Sequence, residues 1–299
     1  LAYLPFYLTP EEFALKQKQQ EQEIAAGRDQ IRWHKYDIEE AFRYLYFCYA
    51  LVPITPLYIL TYVIFDRDDI LFSSMMIGLS ILMSGVCYLT FALDYRFDYT
   101  LSEKGLVVKK RRNMPRWVNS AAQVVAWFGA GVCVFMVATV GPMVLVGAGG
   151  LILLSFTRLK RQPDEEAEVI IGHSEDGLCA RFNSKRKVIE LFHKFDSCEY
   201  QDVAKTMVSR YHSTGSSYLF FSSQQQMAQA LRLLSDEWKI PCEELTNTRI
   251  MFNLDDLPEL FLKTPTRGTT FPVSETQSLR LSGTPLPEFK YFESSRPEE

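Results

Sequence analysis

Three residues could do chemistry together if the chain brings them into contact: His173, Cys179 and His193. They sit on or beside adjacent β-like runs, and a thiol between two imidazoles could bind a metal or form a Cys–His nucleophilic pair. The period-two alternation of strands decides whether they share a face, and the sequence leaves that open. His34 and His212 complete the four histidines. No HExxH occurs, nor any His/Cys/carboxylate grouping with ligand spacing, so structural roles are the favoured reading and no metal or cofactor is expected. The six cysteines, at 48, 87, 133, 179, 198 and 242, include no CxxC pair, which fits free thiols in a reducing compartment. Asp66, Asp68 and Asp69 could hold a divalent ion, but three acids in so short a turn usually stay hydrated. The Ser-rich segments 213–217 and 222–223 lack a GxSxG elbow or a P-loop and read as turns and a helix cap. No residue is assigned a catalytic role.

The strongest charge feature is Lys109-Lys110-Arg111-Arg112. Such a cluster can contact anionic lipid headgroups at about 1 kcal/mol per charge, or can merely fix topology. The net charge of −4 argues against a nucleic-acid partner, which would need a clustered basic excess.

These residues are positioned by a chain of uneven composition. Its mean hydropathy of −0.06 hides an apolar stretch between Tyr44 and Phe156. Trp117 to Phe156 contains no Asp, Glu, Lys, Arg or His, and Gly141-Pro142 lies near its middle. A membrane span needs roughly twenty apolar residues, so this run reads as two spans and a turn. Residues 44–65 and 70–93 read as two more, the first interrupted by Pro53 and Pro56. No ionisable side chain lies deep in any of them, which argues against an ion-coupled transporter. Basic residues flank the spans in segments 28–43, 96–116 and 158–161, which places both termini on the cytoplasmic side. The first forty residues carry many charges and no early apolar core, so no signal peptide is expected.

Around these spans, Thr9-Pro10-Glu11-Glu12 opens a helix with a capping box. A second amphipathic segment begins near Asp29, with Ile31, Tyr36, Ile38, Phe42 and Leu45. Residues 96–101 and 106–110 form a β-hairpin around the turn 102–105. Further strands are expected at 168–173, 178–182, 188–193, 203–211 and 218–221. A helix to about Trp238 presents Met227, Ala230, Leu231, Leu234 and Trp238 on one face. The expected division is a helical arm at 1–43, membrane hairpins at 44–93 and 117–157, and a basic β-hairpin at 94–116 between them. A β-domain at 158–262 and a disordered tail at 263–299 complete it.

The stretch Tyr99-Thr100-Leu101-Ser102-Glu103-Lys104-Gly105-Leu106-Val107-Val108 resembles the entry into bacterial pleckstrin-homology-like domains. Tyr7-Leu8-Thr9-Pro10-Glu11-Glu12-Phe13 is similar to the start of the YcxB-like membrane proteins, which pair a helical hairpin with a small cytoplasmic β-domain. A second hairpin before the later strands, and no Trp after the third strand, depart from that plan.

The fold class that follows is α+β: a four-helix transmembrane unit with a small cytoplasmic antiparallel β-domain, PH-like, closed by a C-terminal helix. The expected function is a non-enzymatic, multi-pass inner-membrane adaptor or assembly protein in bacteria. It would contact membrane lipids through Lys109, Lys110, Arg111 and Arg112, present its β-domain to a protein partner, and possess the means to self-associate. Two alternatives are a subunit or exclusion factor of a secretion or conjugation machine, and a lipid-handling enzyme using Cys179, His173 or His193.

Overall fold

A computed structural model describes residues 3–42, 94–113, 167–253 and 256–291, with isolated positions between them. The chain divides into two compact units, and almost all of these residues belong to one, made of 1–48, 94–110 and 168–299.

Helix α1, Pro10–Ala25, starts on the capping box that its sequence carries. Glu12 N donates to Thr9 Oγ1 at 3.3 Å, and Thr9 N donates back to Glu12 Oε2 at 3.1 Å. Most of its surface is polar; Phe13 and Ile24 are buried, and it packs on sheet strands through them.

Strand β1, Ile31–Asp37, corrects the reading of this segment as part of a helical arm. Trp33 and Asp37 are its buried positions, a strand periodicity that the apolar residues chosen at helical spacing had hidden. It pairs antiparallel with β2, Tyr95–Ser102. Strand β3, Gly105–Arg112, and β4, Glu168–His173, complete a four-stranded sheet in the order β1-β2-β3-β4. Gly105 allows β3 to approach β4 and α1 closely. A Cβ there would lie 2.6 Å from Gly172 O and 2.8 Å from Ile24 Cδ1.

The second sheet is built of β5 (Gly177–Asn183), β6 (Val188–Tyr200), β7 (Met207–Phe220), β8 (Cys242–Glu244) and β9 (Arg267–Pro272). Their order is β8-β5-β6-β7-β9. Strand β8 runs parallel to β5, and the other pairs are antiparallel. Strands β6 and β7 form an unbroken ribbon from Val188↔Phe220 to Tyr200↔Val208, roughly 40 Å long at strand rise. Residues 213–217 therefore lie in mid-strand, not in a turn. Their weak strand preference is overridden by the ladder to residues 191–195. The reversal comes at 201–206, where the Asp202 carboxylate accepts from Thr206 N and Met207 N, each at 2.9 Å.

Helix α2, Gln224–Arg232, is capped by Ser223 and continues as a π-helical turn, Leu233–Glu237. Its Met227, Ala230 and Leu234 close the main core, which joins Trp33, Phe97, Tyr99 and Leu106 of the first sheet to Ile189, Leu191, Leu219 and Phe220 of the second. Three polar bonds tie the first sheet to the second sheet and to the helical segment that closes the core. Trp33 Nε1 donates to Phe220 O at 2.9 Å, Tyr99 Oη to Tyr218 O at 2.8 Å, and Trp238 Nε1 to Ser102 O at 3.0 Å.

A second, smaller core sits towards the far end of the β6–β7 ribbon, where Leu8, Phe13, Cys198, Val208 and Phe271 meet. Phe271 comes from β9, and a short helix α3, Thr276–Leu281, follows it. Both lie in the segment 263–299 expected to lack structure. Its Thr/Pro/Ser/Gly composition had outweighed the apolar Phe271, Val273 and Leu279.

The expected fold class needs correction. The described residues are mostly β, in two sheets, and none of their helices is long and apolar enough to cross a membrane. A four-helix membrane unit is not supported. An uninterrupted apolar run is necessary for a span but does not by itself establish one. The stretches 44–93 and 117–157, and Asp66, Asp68 and Asp69, lie outside the described residues apart from isolated positions.

Candidate binding cleft

Midway along the ribbon, between the two cores, β6 and β7 face β4 and the first turns of α1 across a cleft of about 480 Å³. The short helical turn Ser174–Asp176 links β4 to β5 and brings Asp176 into the cleft wall. His173 at the end of β4 and His193 on β6 also line it.

His193 is buried. Its Nδ1 donates to Lys194 O at 2.9 Å, which leaves Nε2 to accept from Ser217 Oγ at 2.8 Å. Burial holds its pKa below the usual histidine range, so the ring is neutral at neutral pH. His173, half-buried, is lowered chiefly by burial. Asp176 is 5% exposed, and its Oδ1 has no hydrogen-bond partner. Burial pushes its pKa up to about 7; the charge of Lys194 opposes the rise and that of Asp196 adds to it.

Beside the cleft, a buried polar network ties the N-terminal segment to the ribbon. Arg210 is fully buried and donates to Phe6 O and Ser197 O at 3.1 and 3.0 Å. Its Nη2 forms an ion pair with Asp196 Oδ1 at 2.9 Å, off the alignment of a good hydrogen bond. Leu4 N donates to Asp196 Oδ2 at 2.8 Å. Despite Arg210, burial dominates and Asp196 is raised above the usual carboxylate range. Arg267 Nε donates to His212 Nδ1 at 3.0 Å, while His212 Nε2 lies 3.2 Å from Arg210 Nη2 and 3.3 Å from Asp196 Oδ1. Tyr3 stacks on His212 with ring centroids 4.3 Å apart. Burial first, then the charges of Arg210 and Arg267, lower His212 to about 3.

The residues singled out in the sequence are dispersed. His173 and His193 share the cleft, but Cys179 pairs across the ladder with Phe192 and so faces away from His193. Burial pushes the Cys179 thiol up to about 11, far from a nucleophile's range. Among the described residues, no group of three or more His, Cys, Asp and Glu could hold a metal ion. His34 is an exposed residue of β1, edge-on to Tyr36. Lys109 pairs with Glu21 at 2.5 Å, and Lys110 with Glu39 at 2.6 Å while lying over the Tyr95 ring. Arg111 and Arg112 end β3. Two charges of the basic cluster are thus met by carboxylates of the chain itself. Asp176, Asp196 and Arg210 were not foreseen. Asp176 stood in what read as an ordinary turn, and nothing local marks the other two as partners.

The model of the TsiV2 immunity protein family matches residues 11–236, about three-quarters of the chain and most of the cleft. The chain belongs to this family. The immunity protein TsiV2 of Vibrio cholerae serotype O1 is 30% identical over 109 residues, which are 36% of this chain and 44% of that relative. The match thus spans less than half of the relative's length. No solved structure matches.

Membership overturns several expectations. The likeness to YcxB-like and PH-like membrane proteins rested on a hairpin turn and a helix cap, motifs that any α+β chain can carry. The functions drawn from it, a membrane adaptor or a secretion or conjugation subunit, fall with it. The assignment to the inner membrane with cytoplasmic termini is not supported: none of the described helices is long and apolar enough to cross a membrane. Membership in an immunity family favours a non-enzymatic protein and is consistent with a protein partner.

Proposed function

We propose that this chain neutralises a toxin by binding it, with no chemistry of its own. The observation that carries this reading is the family match across residues 11–236. The described side chains support it. The candidate nucleophile Cys179 is buried and held protonated, and His193 is locked between a backbone carbonyl and Ser217. The cleft between β4, β6 and α1 is the recess offered to the partner; its walls belong to strands held by two cores, so it is preformed.

The test is protection. Cells made sensitive to a toxin from the same genome survive when the full chain is co-expressed, and die when it is absent. Equal killing with and without the chain, across every toxin of that genome, contradicts the reading.

A further inference from the structure

The wall of the cleft holds a carboxylate with one oxygen left unpaired. Asp176 is 5% exposed, its Oδ1 lacks any hydrogen-bond partner, and it lines the open recess. A buried acceptor left unpaired is costly, and native proteins carry few of them.

The charge balance around it is one-sided. Among the described residues that line the cleft, Glu168, Asp176, Asp196 and Glu199 are set against one lysine, Lys194, and both histidines there are disposed to be neutral. Asp196 is already committed to Arg210. Lys194 stands in range of Asp176 but has not closed on it; its Nζ lies instead 5.8 Å from the centroid of the Tyr3 ring. The recess also has apolar walls, including Phe13, Ile170 and Phe195, suited to a methylene stem.

We infer that the cleft receives an arginine side chain of the toxin, its guanidinium seated on Asp176 and its stem against Phe13 and Phe195. This rests on the neutralisation reading above and supplies its point of contact. A guanidinium suits the place better than an ammonium. It is weakly hydrated, so it enters a buried site at lower cost, and its planar fork can use Asp176 and a neighbouring carbonyl at once. Seating it supplies the missing partner of Oδ1.

Two measurements on the full chain at pH 8 test this. In the first, acetyl-Ala-Arg-Ala-amide and its citrulline counterpart, equal in shape but uncharged, are titrated at roughly millimolar concentration and followed by NMR. The arginine peptide is expected to shift cleft resonances and to bind at least about tenfold more tightly than the citrulline peptide. Asp176→Asn should abolish that difference, and Lys194→Met, which removes the competing cation, should tighten the arginine peptide. Equal behaviour of the two peptides, or full discrimination in D176N, overturns the inference.

The second measures toxin affinity for the wild type and D176N. A loss of about tenfold or more in a variant that still melts cooperatively supports it. Wild-type affinity in D176N sinks the arginine contact yet leaves neutralisation standing. A wild-type chain that neither binds nor protects sinks neutralisation itself, whatever the peptides do.

Discussion

Arg210 Nη2 lies 2.9 Å from Asp196 Oδ1, and the guanidinium is wholly out of solvent. Through this pair the N-terminal segment is joined to a ribbon remote from it in sequence. Arg210 also donates to Phe6 O, and Asp196 accepts from Leu4 N, so the segment ahead of α1 is riveted to the middle of the ribbon. Removing one partner strands the other charge. Arg210→Met should therefore cost about 3–5 kcal/mol of unfolding free energy in urea. Hydrogen exchange should show the Leu4 amide losing protection in the Asp196→Ala variant, with the Leu191 amide little changed. Unchanged protection at Leu4 would mean that the rivet does not hold the segment.

Two groups with large and opposed shifts contribute to the acid response. Asp176 has its folded pKa raised from 3.8 to about 7, so its contribution is present below 3.8 and lost as pH rises through 7. His212 is lowered from 6.5 to about 3, so its contribution is present above 6.5 and lost as pH falls through 3. Between about pH 4 and 7 the two slopes oppose each other. Asp176→Asn removes the first slope and keeps that of His212. The variant should match the wild type near pH 4 and exceed its stability at pH 8, by on the order of a few kcal/mol. Melting curves at both pH values check this, and parallel pH profiles for the two proteins would contradict it.

The hydroxyl of Tyr99 does double duty between the sheets. It donates to Tyr218 O at 2.8 Å and accepts from Phe220 N at 3.3 Å. Tyr99→Phe keeps the ring stack on Trp33 while orphaning two buried backbone groups. A loss of about 1–3 kcal/mol is expected by urea denaturation, with the same denaturant slope.

The thiols of Cys179 and Cys198 are buried and pushed up to about 11. Iodoacetamide at pH 8 should leave both unmodified in the folded chain and label both in urea, as read by peptide mass mapping. Rapid native labelling of Cys179 would reopen a reactive role for it.

Local signals were legible where one short stretch contains all the physics. The capping box of Thr9 and Glu12, the turn 102–105, and the spacing of Met227, Ala230 and Leu234 each read directly from sequence. Elements settled by distant partners were not. Trp33 makes its strand because Tyr99 and Phe221 stack on either side of it, and residues 213–217 stay extended because residues 191–195 hold them. The candidate site was illegible for the same reason. Asp176 gains its character from burial against β6, and Arg210 and Asp196 meet across the ribbon, relationships that no local spacing encodes. Composition misled most at the apolar runs, where length alone prompted a membrane unit that the described residues do not support.

Direct association is the claim on which the account rests. Calorimetric titration of the purified full chain into the toxin that it protects against should give a saturable heat at a fixed stoichiometry, with the toxin's activity falling in step with occupancy. Protection in cells without any such binding, or binding that leaves the toxin fully active, would contradict it.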